Sequence, residues 1–426
     1  MKIAQILKDT LTLVLAGGPG ERLYPLTRDR AKPAVPFGGQ YRIIDFTLSN
    51  CANSGLHRIF ILTQYKSYSL DRHLRLGWNI FSGHFDQFLY SIPPQLRVGS
   101  SWYLGTADAV FQNVDLVRDQ HPRRVLILSG DHIYKMDYSE MIEAHVQNGA
   151  AATIAAVETD AVTARRMGVL QLDSAGRILC FDEKPENPAR IPGRENLAWV
   201  NMGVYLFETD VLIDAVCKDA ARQTSHDFGR DILPSLVPGG RVFAIPFHDE
   251  NRKEIKYWRD IGTLDSYYEA SMDLVKVDPV FNLYDADFPI RSYTPPRPPA
   301  KMVFAGGEEG RTGIALDSLI CNGCIISGGR VERSILSPDV RIHSYSRVED
   351  SILFNGVEIG RHSEIRRAII DKNVVVPPGT RIGYDLEKDT RRFTVTQSGV
   401  VVISKGAVVQ AEADSEQETS PVLARG

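Results

Sequence analysis

A chain of 426 residues, 43% hydrophobic and 24% charged, has ample apolar material for a core, and at roughly 150 residues per domain it is expected to form two or three domains. Its net charge of −4, without long single-sign runs, gives no footprint for nucleic acid or a membrane partner. No apolar run reaches the ~20 residues of a bilayer span, the first ten residues lack the layout of a signal peptide, and five cysteines are an odd count that argues against a disulfide framework, so a cytoplasmic location is expected by default.

In chain order, the short apolar runs Leu11–Ala16, Ile59–Thr63 and Val125–Ser129 read as buried strands. Between the last two, Ala107, Val110, Phe111, Val114 and Val117 recur at helical spacing, which predicts a helix over Ala107–Asp119 with Thr106 as its N-cap. Asp137 and Glu140 resemble a capping box before a helix at Ser139–Asn148, with Gly149 as its stop. This strand-helix-strand alternation implies an α/β fold, a mostly parallel, doubly wound, Rossmann-like sheet.

The pattern changes near residue 282. Asp287–Ala300 contains five prolines, and Gly306, Gly307 and Gly310 follow, a linker composition. The chain then repeats with a period of 17 residues: Ser334–Asp350, Ser351–Arg367 and Ala368–Tyr384. Apolar residues fall at matched places: Leu336, Leu353 and Ile370; Ile342, Ile359 and Val376; Val348, Ile365 and Ile382. Steps of six, six and five suit neither a helix nor a hairpin but fit a three-sided coil with one inward residue per side. The segment is read as a left-handed parallel β-helix of about four coils, with Ser318–Arg333 an earlier copy one residue short. The expected organisation is 1–281 catalytic, 282–312 linker, 313–410 β-helix and 411–426 a polar, disordered tail. Cys321 and Cys324 form a CxxC with no second ligand pair at zinc spacing, and read as packing residues.

Chemistry concentrates at strand ends. The first strand runs into Gly17-Gly18-Pro19-Gly20-Glu21-Arg22, where glycines let backbone N–H groups approach phosphates. The spacing fits neither the dinucleotide fingerprint nor the P-loop. Arg22 and Lys32 favour a phosphate-binding use, since both could reach a polyphosphate from one side; the plain alternative for each is a solvated surface charge. Asp131 follows the strand ending at Ser129, where α/β sheets bind ligands, and its carboxylate suits Mg2+; Asp260 is a second candidate. His132 beside Asp131 reads first as a structural histidine, and no nucleophile–histidine–acid signature is evident.

Several longer motifs carry a family resemblance. Ala31-Lys32-Pro33-Ala34-Val35-Pro36-Phe37-Gly38-Gly39, Tyr41 to Phe46, Leu48 to Cys51, Trp102-Tyr103, Gly105-Thr106-Ala107-Asp108, Gly130 to Lys135, Glu183-Lys184-Pro185, Ser225-His226-Asp227-Phe228-Gly229 and Tyr257-Trp258-Arg259-Asp260 resemble the bacterial ADP-glucose pyrophosphorylases over nearly the whole chain. The resemblance implies transfer of the adenylyl group of ATP to glucose 1-phosphate for glycogen synthesis, in an allosteric homotetramer. It implies that Gly17, Gly18, Gly20, Arg22, Lys32, Gly105 and Thr106 bind ATP and that Asp131 and Asp260 hold Mg2+. Tyr103, Gly168, Glu183, Lys184, Asn201 and Asp227 would bind glucose 1-phosphate, with Asn201 standing where many members have Ser. Gln64 and Trp102 would link substrate and effector sites, and Arg30, Arg42, Arg391 and Arg392 would bind phosphorylated effectors. Asp29 and Pro36 replace a Lys and a His of fructose-bisphosphate-responsive members, which points to a singly phosphorylated effector such as fructose 6-phosphate.

A sugar phosphate is mostly dianionic near neutrality and needs no general base, so alignment and charge neutralisation are expected to carry the reaction. Two other readings compete. One is a different sugar nucleotidyltransferase with an acetyltransferase on its β-helix, for which His343 and His362 are the candidate bases. The other is a non-catalytic regulatory subunit, which typically loses the basic or metal-binding residues that this chain keeps at Arg22, Lys32, Asp131, Lys184 and Asp260.

Overall fold

The computed structural model describes residues 3–95, 102–253, 256–305 and 311–411. The predicted 411–426 tail, apart from Ala411, and the glycines 306, 307 and 310 lie outside the described residues. The chain divides into two compact units. One holds the residues up to Phe37, Tyr41–Ser266 and Pro279–Thr294; the other holds Gly38–Gln40, Tyr267–Asp278 and the chain from Pro295.

The first unit is built on a nine-stranded sheet. Thr10–Ala16 lies at its centre, parallel to both Arg58–Thr63 and Arg124–Ser129, so the three predicted strands form its heart. Side chains alternate along each strand, and both faces are buried. Val14, Ile59, Ile61, Leu126 and Leu128 enter one core, with apolar residues of the helices Ile43–Asn53, Tyr68–Gly77 and Tyr138–Gln147. Leu11, Leu13, Phe60, Leu62, Val125 and Ile127 enter the other, with those of Thr106–Phe111, Val114–Gln120 and Thr209–Ala220.

The sheet departs from the mostly parallel expectation. Leu197–Glu208 runs antiparallel to Arg124–Ser129, and Gly168–Leu172 pairs antiparallel with Ile178–Glu183. The second pair is a hairpin closed by Asp173, whose carboxylate accepts from the N–H groups of Ala175 and Arg177, and a short connection permits only antiparallel strands.

The helix predicted over Ala107–Asp119 is two helices, and Thr106 is not its side-chain cap. Asn113 donates from its amide to the Ala109 carbonyl at 2.8 Å, a local bond that competes with the backbone ladder and breaks the helix. The Thr106 hydroxyl is engaged elsewhere, with Asp227. At the next helix Asp137 does cap, accepting from Ser139 N, and Gly149 adopts positive φ just past the end. Glu140 faces His248, 3.1 Å away, so only half of the capping box forms.

A fully buried carboxyl organises one face of this unit. Asp45 is 0% exposed. Its Oδ1 lies 2.6 Å from His73 Nε2 and accepts from Trp78 Nε1 at 2.8 Å; its Oδ2 accepts from Arg42 N at 2.8 Å and Ser292 Oγ at 2.7 Å. Asp45, Ser49 and Asn53 form a polar stripe at i, i+4 and i+8 of their helix. Ser49 Oγ accepts from Arg291 N, and the Asn53 amide donates to the Pro289 carbonyl. Part of the segment predicted as linker is thus fastened along the stripe, and at Gly77 a side chain would meet Tyr293 at 2.8 Å.

The second unit contains three sheets that the chain visits in turn, parallel throughout except where Thr394–Val395 pairs antiparallel with Val401–Ile403 at the end of one. Their registers reproduce the 17-residue period: Leu336↔Leu353↔Ile370, Ile342↔Ile359↔Val376 and Val348↔Ile365↔Ile382 each align. Leu319↔Ile335 carries the short earlier copy. These residues form one buried apolar column. Positive φ recurs at the same spacing, with the first step one residue shorter in two of the three series, at Asp317, Arg333, Asp350 and Arg367, at Gly328, Tyr345, His362 and Gly379, and at Gly323, Asp339, Gly356 and Asn373. Each is a left-handed turn between sheets, a conformation favoured by Gly, Asn and Asp. One turn is unpredicted: Ile370 pairs with Ile403, and the helix Leu386–Thr390 lies in the loop between.

Within this unit, His343 Nε2 lies 2.7 Å from Glu358 and His362 stacks on Tyr345 at 4.9 Å. Cys324 is buried, its thiol donating to the Ser337 carbonyl, and burial pushes the Cys321 and Cys324 thiols up to about 12 and 11, as packing residues require. Among the described residues no helix is long and apolar enough to cross a membrane.

Candidate active site

The central strand delivers a glycine loop. Past Ala16 the chain turns through Gly17, Gly18 and Gly20; Gly20 has φ +65° and opens the short helical turn Glu21–Leu23 that carries Arg22. A Cβ at Gly20 would meet Lys32 at 3.0 Å and Thr27 at 3.1 Å, so both the backbone angle and the close approach call for glycine. Gly18 faces open space. A cavity of about 430 Å3 follows, lined by Gly18, Gly20, Arg22, Lys32, Asp131 and Gly262 among others.

Asp131 and Asp260 meet because His132–Tyr134 pairs antiparallel with Trp258–Asp260, placing His132 opposite Asp260. The Lys32 ammonium spans the two carboxylates, 2.7 Å from Asp131 Oδ2 and 3.2 Å from Asp260 Oδ1. Ser129 Oγ donates to the other oxygen of Asp131. Burial alone would raise the Asp131 pKa, but Lys32 beside it prevails and holds the carboxyl well below its ordinary value. Lys32 shows the reverse: burial lowers its pKa, and the two aspartates more than restore it. The depressed Asp131 therefore contributes stability that is present above an ordinary aspartate pKa and lost as pH falls through its folded value. Ligand atoms of Asp131, His132 and Asp260 all lie within 4.8 Å of one another, and this anionic, oxygen-rich set suits a divalent cation. The Arg22 guanidinium is close by, 3.2 Å from where a Cβ on Gly262 would stand.

A second cavity, about 380 Å3, shares Gly18 and Asp131 with the first and extends past Gly17, Gln64, Tyr65, Tyr103, Gly105 and Thr106. Gln64 donates to the Tyr103 carbonyl at 3.4 Å, and Trp102, half-exposed, lies against Tyr65 with ring centroids 5.6 Å apart. The Thr106 hydroxyl donates to Asp227 Oδ2 at 3.0 Å and accepts from Phe228 N. Gly105 makes this possible. Any Cβ there would collide with the carbonyl oxygens of Ser225 and His226. Because those are backbone atoms, Gly105→Ala is expected to cost about 1–3 kcal/mol or more and to pull Thr106 from Asp227. A thermal melt checks this, and an unchanged Tm would contradict it.

Around Asp227 a third group of predicted residues assembles. Asp227 accepts from the N–H groups of Gly229 and Arg230 at the start of Phe228–Ile232. Gly168 sits opposite Glu183 across the hairpin. A Cβ on Gly168 or on Gly229 would stand 2.9 Å from Glu183 Oε2, so two glycines make room for that carboxylate. Lys184, at φ +54°, places its ammonium 3.2 Å from Glu183 Oε1. Asn201 is occupied: its Oδ1 accepts from Gly203 N at 2.8 Å and its amide donates to the Tyr205 hydroxyl at 2.7 Å, holding an irregularity in its strand.

The remaining candidates do not line either of these cavities. Arg42 donates to Ser69 O and Oγ at 2.9 Å, and burial lowers its pKa to about 10 against the pull of Asp45, with Arg30 adding to the lowering. Arg30 is buried. Arg391 and Arg392 belong to the second unit, just past the helix Leu386–Thr390, where Arg392 donates to the Gln410 carbonyl. Sequence reasoning read His132 first as structural and gave Gly262 no role of its own; the pairing of His132–Tyr134 with Trp258–Asp260 sets His132 opposite Asp260, and Gly262 lines the first cavity.

The Rossmann-like sheet, with a glycine loop after its first strand and Lys32 between Asp131 and Asp260, belongs to a nucleotidyl transferase: residues 11–277 match the family model described as nucleotidyl transferase and residues 298–403 that described as GlmU-like, C-terminal hexapeptide. The chain is 51% identical to the glucose-1-phosphate adenylyltransferase of Rhodopirellula baltica, covering 98% of this chain and 94% of that one. It is 53% identical to that of Koribacter versatilis (93% and 95%) and 46% identical to that of Nitrosospira multiformis (94% and 95%). The chain belongs to the glucose-1-phosphate adenylyltransferase family.

Proposed function

We propose that this chain transfers the adenylyl group of ATP to glucose 1-phosphate, giving ADP-glucose and pyrophosphate for α-glucan synthesis. The observation that carries the reading is Lys32 set between Asp131 and Asp260, with Lys32 and Asp131 lining the glycine-loop cavity. Near-full-length likeness to glucose-1-phosphate adenylyltransferases supports the choice of substrates.

A phosphate oxygen of glucose 1-phosphate attacks the α-phosphorus of ATP, and the bond to pyrophosphate breaks. The backbone of Gly17, Gly18 and Gly20 cradles the triphosphate. Lys32 and Arg22 neutralise charge on the departing pyrophosphate. Asp131 and Asp260 would hold Mg2+, which when bound would polarise the phosphoryl oxygens. Glu183, Lys184, Gly168 and Asp227 receive the sugar phosphate, and Thr106, bonded to Asp227, joins their cluster to the nucleotide cavity. Asn201 acts on the sugar side through the strand it shapes, and Tyr103 through the cavity wall it shares with Gln64.

Lys184→Gln is expected to raise KM for glucose 1-phosphate about ten- to a hundred-fold, the worth of one charge-assisted hydrogen bond, and to leave KM for ATP nearly unchanged. Equal losses for both substrates would count against the assignment.

The proposal extends to the whole chain. Residues 1–281 carry the chemistry, 282–312 connect, and 313–410 wind as a left-handed parallel β-helix that supports a homotetramer. Arg30, Arg42, Arg391 and Arg392 receive singly phosphorylated effectors, whose binding reaches the active site through Gln64 and Trp102. Free cysteines and the ATP substrate fit a cytoplasmic enzyme. Measuring pyrophosphate release with every pairing of NTP and sugar 1-phosphate tests the reading: release is expected with ATP and glucose 1-phosphate above all others, and its absence there would sink the proposal.

A further inference from the structure

We propose that His132 is a third ligand of the cation held by Asp131 and Asp260, and that its nitrogen tilts the site toward Mn2+ and Co2+ relative to Mg2+. The inference rests on the cation reading above and assigns a role to a residue the sequence leaves as structural.

Three observations carry it. First, His132 stands directly opposite Asp260 in the antiparallel pair, so the two side chains share one face of the ladder, beside Asp131. Second, His132 Nε2 lies 3.5 Å from Asp131 Oδ1 and 3.7 Å from Asp260 Oδ1. These separations are too long for hydrogen bonds. They approach the spacing of atoms that share one ion, since two ligands each ~2.1 Å from a metal lie about 3.0 Å apart at a right angle and about 3.4 Å apart at a tetrahedral one. Third, the ring has little freedom. Its side chain is 13% exposed, Trp258 meets it edge-on at 5.1 Å, and a Cβ at Gly203 would already stand 3.2 Å from its Cε1. Nε2 is the ring nitrogen that faces the two carboxylates.

The consequence is chemical. Two carboxylates alone present hard oxygen donors, which suit Mg2+. One imidazole nitrogen added to them favours first-row transition ions, which accept nitrogen donors, over Mg2+, which prefers an all-oxygen shell.

The test uses the full-length protein loaded with Mn2+ in the presence of inorganic pyrophosphate, which contributes no nitrogen. Electron spin echo envelope modulation should show 14N coupling in the wild type and none in His132→Gln. Calorimetry should show Mn2+ binding weakened about ten-fold or more in His132→Gln, with Mg2+ binding changed much less. Mn2+ that binds the wild type without 14N coupling, yet is lost in Asp131→Asn, overturns the role of His132 and spares the aspartates. Mn2+ binding unaffected by Asp131→Asn removes the cation reading itself, and this inference with it. The wild-type spectrum decides even if His132→Gln folds poorly.

Discussion

Asp131→Asn is expected to fold like the wild type and to lose about 10²–10³-fold in kcat, the scale of removing one preorganised electrostatic group from a reacting phosphoryl centre. The amide preserves shape and can still accept from Ser129, but it removes the charge that offsets Lys32 and attracts a cation. Lys32 would keep one carboxylate partner, Asp260, at 3.2 Å. The loss should therefore fall on kcat, with substrate binding less affected. Steady-state kinetics with Mg2+, beside a thermal melt, separate chemistry from folding. A variant that keeps near-normal kcat would show that Asp131 is not part of the cation site.

Asp45→Asn is expected to have the largest effect on stability. The carboxyl faces four donors or ring nitrogens, and an amide can accept with one end only. Its NH2 would point at either His73 and Trp78 or Arg42 N and Ser292, leaving buried donors without an acceptor. Breaking a buried network of this kind costs about 3–5 kcal/mol, and in a unit of this size that lowers Tm by on the order of 10 °C. Scanning calorimetry reads it directly. A variant that melts within a degree of the wild type would mean that the carboxyl is not the organiser of this face.

The legible parts of the chain were those set by local pattern. Three central strands and the 17-residue column could be read because burial imposes an apolar period that needs no knowledge of partners, and the registers of Leu336, Leu353 and Ile370 follow it residue for residue. The antiparallel half of the sheet was not legible, since Leu197–Glu208 owes its direction to pairing rather than to its composition. The helix break at Asn113 escaped because a side-chain bond to Ala109 leaves the apolar spacing intact. At the candidate site, Gly17–Arg22 and Asp131 announced themselves by following buried strands. Their meeting with Asp260 is a matter of strand register between segments far apart in the chain. Family resemblance supplied what pattern could not: without it, Lys184, Glu183 and Asp227 read as ordinary loop residues, although two glycines clear space beside Glu183.

Phosphorus NMR of the purified chain with ATP, glucose 1-phosphate and Mg2+ tests the central claim most directly, because it follows every phosphorus atom at once. The account predicts that the α- and sugar-phosphate signals merge into the coupled pair of ADP-glucose while the β- and γ-phosphates appear together as pyrophosphate, one for one. Formation of ADP with inorganic phosphate, or of AMP with glucose 1-phosphate left unchanged, would contradict it.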